Sequence, residues 1–206
     1  MVDDQKTVMM TLVVAFVYLL FVTHGTSLPT TMRAVVARGT ADAGNFSQVE
    51  YVTNWPVPSF TSSQVLIQVN FSSVNPVDYK IIETGSVALG FPHVMGFDVA
   101  GTVVAVGASC KRLKVGDQVW ADLGKYWVLR RGELGAWGEY AAADESQVGL
   151  MPSQLTFAEA GSLPLVSLTG YQAYKQMGSP WTGVYSNLTV VFYFTRFSCL
   201  VPFAHD

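Results

Sequence analysis

Between Asn75 and Lys80 the chain sets an amide, a carboxyl, a phenol and an ammonium within six residues, Asn75-Pro76-Val77-Asp78-Tyr79-Lys80. An amide donates and accepts hydrogen bonds at once. An ammonium can donate to an oxygen on which negative charge develops. Each group also has a structural use: Asn75 as a turn residue before Pro76, Asp78 as a brace for the loop or for Lys80, Tyr79 as packing, and Lys80 as a solvated surface cation. Farther along, Trp137 can pack or wall a pocket, and Thr169 can face a ligand or bond its own helix backbone. Cys110 and Cys199 are the only cysteines, too few for a disulfide framework or a four-cysteine zinc site. Gly96, Gly101, Gly107 and Gly116 are read as backbone geometry, because none sits between a strand and a helix start where a phosphate cradle must lie.

The 206 residues exceed what one small domain needs. Half are hydrophobic, 13% are charged and the net charge is −3. No basic stripe with interleaved aromatics is present, so nucleic acid is excluded as a partner.

The elements that must position these groups are mostly strands. Met32–Arg38 is a short β-branched run. Gln64–Phe71 alternates, with Val65, Ile67, Val69 and Phe71 on one face and Leu66 breaking the polar face; that period of two marks a half-buried strand. Val99–Val106 is a third strand, and Gly101 inside it predicts a bulge or a close backbone approach. Gln118–Trp120, Glu139–Ala143 and Gln147–Leu150 complete a series of short strands that predicts a closed or nearly closed β-barrel. At Thr156 the character changes. Thr156-Phe157-Ala158-Glu159 is a capping box, and Pro164 predicts a helix from near Leu163 through Leu165, Leu168, Tyr171 and Tyr174 to Gly178.

Three segments then stand in order: Val74 to Lys80; His93-Val94-Met95-Gly96-Phe97-Asp98-Val99-Ala100-Gly101 running on to Gly107; and Val115-Gly116-Asp117-Gln118-Val119, which leads to Gly135–Tyr140 and to Leu163–Tyr171. The series resembles the medium-chain dehydrogenases/reductases, in their zinc-independent quinone and enone reductase branch, over roughly residues 32–178. The resemblance implies a mainly β fold: a GroES-like barrel at 32–155, then one or two helices and the start of an α/β Rossmann domain at 156–191. It implies hydride transfer from NADPH to a small carbonyl compound or quinone, with the protein orienting and polarising. Lys80 is then the catalytic donor, Asn75 and Thr169 lie toward the nicotinamide, and Asp78, Tyr79 and Trp137 toward the substrate. No metal is expected. Zinc-dependent relatives carry a cysteine near Asn75 and Gly-His-Glu where this chain has Gly96-Phe97-Asp98, and His93 is out of register and reads as a satisfied loop histidine.

Both ends depart from that pattern. Val8–Val22 is an unbroken apolar run followed by small residues, so residues 1–27 are expected to be a secretory signal or a short membrane anchor. A misplaced start would leave the protein cytoplasmic. Asn45, Asn70 and Asn187 open glycosylation tripeptides that matter only on the secretory route. Asn187–Val191 reads as a first Rossmann strand, yet no glycine follows Gly183, whereas a dinucleotide fingerprint should come directly after that strand. Residues 192–206 therefore read as an aberrant apolar tail and the chain as truncated, inactive in isolation; left unpaired, such a strand is an aggregation hazard. The alternative is a non-catalytic binding or dimerisation module, secreted or forming a homo-oligomer.

Overall fold

A computed structural model describes residues 28–85, 90–126, 135–176 and 199–202. The leader, Asn187 and most of the tail lie outside them. Among the described residues strands dominate: β1 (Thr31–Ala37), β2 (Val49–Pro56), β3 (Gln64–Val74), β4 (His93–Val94), β5 (Asp98–Val106), β6 (Gln118–Asp122), β7 (Tyr140–Asp144), β8 (Gly149–Leu150) and β9 (Cys199–Pro202). Three helices accompany them, α1 (Pro76–Thr84), α2 (Phe157–Ala160) and α3 (Pro164–Gln176). No helix among the described residues is long and apolar enough to cross a membrane.

The strands form two antiparallel sheets, one ordered β2-β1-β4 and the other β7-β3-β5-β6-β8, with β9 also on β3. The alternation in β3 holds from Val65 to Val69: Val65, Ile67 and Val69 are fully buried beside Val99, Val103 and Val119, whereas Phe71, past a register slip, is only half-buried and Gln64 of the expected polar face is buried. Leu66 is buried as well. Its pairing partners on both sides are alanines, Ala105 and Ala142, so a leucine fills the room they leave. Gly101 pairs with Val69 where the β3–β5 register slips, and a Cβ there would lie 2.1 Å from the Gln68 carbonyl oxygen. The second core belongs to β1, β2, β4 and α1, through Ala34, Val36, Val52, Val94, Ile81 and Ile82.

Segment 135–139 joins the two sheets. Val35 N–H donates to the Trp137 carbonyl at 2.7 Å, Glu139 N–H to Arg33 at 3.1 Å, and Val69 N–H to Glu139 at 2.9 Å. Arg33 seals the seam with an ion pair to Glu139 at 2.6 Å.

Three elements differ from the sequence reading. β2 is an edge strand with one fully buried residue, Val52, and so presents no alternating face to read. The strand expected at Gln147–Leu150 is reduced to Gly149–Leu150, preceded by a 3₁₀ turn at Glu145–Gln147. Part of the apolar tail is paired: Cys199–Pro202 lies antiparallel to Phe71–Val74 of β3, on an edge that β7 leaves open.

Candidate functional site

The segment from Asn75 to Lys80 folds as the start of α1. Pro76 takes the first helical position, where its missing N–H costs nothing. Asp78, three residues after Asn75, turns back and accepts the Asn75 N–H at 2.7 Å. Gly85 ends the helix in the left-handed conformation, its N–H on the Ile81 carbonyl at 2.9 Å.

Asn75 is buried. Its amide Nδ2 donates to Asp98 Oδ2 at 2.8 Å and to Ser73 Oγ at 3.1 Å. Its Oδ1 is buried without a hydrogen-bond partner. The donor half of the amide is thus committed and the acceptor half is left over. Ser73 Oγ also donates to Asp98 Oδ2 in a short bond, and the Leu165 N–H, in the first turn of α3, donates to Asp98 Oδ1 at 2.7 Å. Asp98 therefore ties the end of β3 to the start of α3. Burial pushes its pKa up, and the Ser73, Asn75 and Leu165 donors pull it back. Asp78 is fully buried with one oxygen unpartnered. Burial pushes its pKa up to about 7, the Asn75 and Gly96 amides oppose this, and the Asp98 and Asp122 carboxylates add to it.

A cleft of about 650 Å³ opens between β6, α1 and α3, lined by Val77, Phe97, Asp122, Gly124, Ser146, Gln147, Leu165, Leu168 and Gln172. The residues singled out from sequence distribute unevenly around it. Lys80 is exposed on α1, one helical turn past Val77 and so on the same helix face as a residue of the cleft wall. Tyr79 is half-buried and is not part of that wall. Trp137 is buried, its indole N–H donates to the Ser73 carbonyl at 2.9 Å, and its ring lies so close to Gly96 that a Cβ there would sit 2.2 Å from it. Gly96 also has φ of 94°, a conformation that glycine adopts freely. Thr169 is exposed and bonds the Leu165 carbonyl of its own helix at 2.9 Å. His93 is buried, stacked on Phe91 and bonded through Nδ1 to the Gly90 carbonyl at 3.0 Å; burial lowers its pKa.

Asp98 and Asp122 were not singled out by sequence reasoning as site residues. A charge opening the apolar run of β5 was the available signal for Asp98, since a buried charge must be paired or hydrogen-bonded. Asp122, at the end of a short strand, gave none.

The alcohol dehydrogenase GroES-like domain model matches residues 61–153. Among curated proteins, the chain is 36% identical over 154 residues to a 2-methylene-furan-3-one reductase of Solanum lycopersicum, covering 74% of this chain and 39% of that protein. It is 37% identical over 146 residues to a chloroplastic NADPH-dependent alkenal/one oxidoreductase of Arabidopsis thaliana, covering 70% and 37%. Among solved structures, the quinone oxidoreductase from Coxiella burnetii superposes with a TM-score of 0.62 at 26% identity, over 70% of this chain and 44% of that one. The chain spans less than half the length of each of these relatives.

Proposed function

Since the chain carries the GroES-like domain of the medium-chain dehydrogenases/reductases and matches their quinone and enone oxidoreductases in sequence and fold, we propose that it forms the substrate half of an NAD(P)H-dependent, zinc-independent reductase of quinones or enones. The observation that carries this reading is the largely apolar cleft between β6, α1 and α3; Asn75, two positions before Val77 of the cleft wall in sequence, is buried with its side-chain oxygen unpartnered.

The residues suit the nicotinamide end of the cofactor. A carboxamide N–H would satisfy the Asn75 oxygen, whose orientation is set by the bonds its amide nitrogen makes to Asp98 and Ser73. NAD(P)H supplies a hydride when bound. The protein contributes the rest. Val77, Phe97, Leu165 and Leu168 hold an apolar substrate and exclude water, and Lys80 reaches from the exposed face of α1 toward the oxygen on which charge develops. The zinc-independent assignment rests on two features of the chain. Phe97 has no ligating atom and packs in the core. Both Asp98 oxygens are already engaged by Ser73, Asn75 and Leu165.

Assayed as these 206 residues, the protein is expected to bind a quinone or enone without oxidising NADPH. Fused to the nucleotide-binding half of a relative, it is expected to turn over, with Lys80→Ala lowering kcat/KM roughly tenfold or more, the scale of one lost donor to a charged oxygen. A fusion that binds NADPH but reduces neither substrate class would overturn the reading in favour of a binding module.

A further inference from the structure

Asp122 is the only carboxyl-bearing residue among the described residues that line the cleft. We infer that its carboxyl receives the substrate oxygen there, donating an O–H hydrogen bond to a ketone, enone or quinone carbonyl. The inference rests on the cleft being the substrate site. It adds a donor on the wall to the one proposed on the rim.

The geometry is that of an oriented acid. Gly124 N–H holds Asp122 Oδ1 at 2.9 Å, which fixes the carboxyl plane and leaves Oδ2 as the second oxygen. Phe97, Leu165 and Leu168 surround the opening with hydrocarbon. Asp98 stands directly opposite Asp122 in the β5–β6 pairing. The two carboxyls differ in what satisfies their charge. Asp98 takes bonds from Ser73, Asn75 and Leu165, whereas Asp122 takes one side-chain bond, from Gly124. Neither described ion pair, Arg33–Glu139 or Arg38–Glu50, involves Asp122. The third carboxyl of the group, Asp78, is sealed away from the cleft beneath Asn75. Within the group Asp78 holds its proton up to about pH 7, and the like charge of Asp98 opposes ionisation of Asp122 as well. Burial, reinforced by Asp98, pushes the Asp122 pKa up, and the Gly124 N–H only partly offsets it.

The test uses the 206-residue chain and acetophenone, a ketone that cannot add to the Cys110 thiol. The Asp122 carboxyl is followed by its ¹³C shift while ketone affinity is measured by ¹⁵N shift perturbation across the same pH series. Expected is an Asp122 midpoint above that of an ordinary aspartate, with ketone affinity falling roughly three- to tenfold as pH rises through it, the scale of one hydrogen bond. Asp122→Asn keeps the bond to Gly124 and an N–H donor, and is expected to bind without pH dependence. Asp122→Ala should bind roughly three- to tenfold more weakly at low pH. An ordinary Asp122 midpoint, pH-independent affinity in the unaltered chain, or full affinity in Asp122→Ala would each overturn the inference. Ketone shifts at Val77 and Leu168 that ignore Asp122 would leave the cleft as the binding site and remove only this residue. Asp122-dependent ketone binding in a fusion that reduces nothing would do the reverse.

Discussion

Asp78 sits fully buried in the core, with one oxygen bonded to the Asn75 N–H, and its burial favours keeping its proton. Its pKa rises from 3.8 to about 7, so between these values the folded chain holds a proton that the unfolded chain has released. Stability from this group is full below 3.8 and is lost as pH climbs through 7. The whole rise corresponds to at most about 4 kcal/mol. His93 acts in the opposite sense, because its lowered pKa makes the unfolded chain take up the proton first as pH falls. Urea denaturation of the native chain and Asp78→Asn separates the two: the difference in stability should shift steadily from pH 4 to pH 7 in favour of the variant. A constant difference would remove Asp78 as its source. Asp98 lends itself to a second comparison. Asp98→Ala strands the Ser73, Asn75 and Leu165 donors together, and should cost roughly 3–5 kcal/mol in the same assay. The amide, carboxyl and ammonium types between Asn75 and Lys80 were legible in the sequence. The network was not, because Asp98 bonds across 25 residues to Ser73 and 67 to Leu165, distances that no local pattern encodes.

Among the elements, those with a period or a punctuated end were readable and the others were not. β3 announced itself by alternation, and the Thr156–Glu159 capping box is made in both directions, at 2.8 and 3.3 Å. α1 carries the same kind of signature, Asn75-Pro76-Val77-Asp78, but it spans only nine residues and buries adjacent isoleucines rather than a long stripe. Inside β5 the prediction at Gly101 is steric. Gly101→Ala would drive a methyl into the Gln68 carbonyl, 2.1 Å away, and is expected to lower stability by roughly 1–3 kcal/mol, read from the thermal midpoint. Thr156→Ala removes one exposed cap and should cost about 1 kcal/mol. If the two losses came out equal, the close approach at Gly101 would not be the constraint described.

Taken whole, the described chain is a mainly β fold, matched by the GroES-like domain model over residues 61–153, with a helix laid along its cleft, and the fold class followed from many short strands with glycine turns. The zinc-independent assignment makes a prediction at this scale: EDTA treatment should leave the urea midpoint and acetophenone binding unchanged, and a lower midpoint would point to a bound metal. One feature has its effect during synthesis. The seam that fastens β1 to the rest runs through segment 135–139, and Arg33 meets Glu139 across 106 positions of sequence. At a ribosomal pace of roughly 5–20 residues per second, β1 leaves the exit tunnel some 5–20 seconds before its fastener exists. For that interval β1 takes cover from β2 and, as they are made, from α1 and β4, but not from Trp137, so the nascent chain presents an incompletely covered apolar strand to whatever waits at the tunnel mouth, and the protein's dependence on chaperones should rise with this delay.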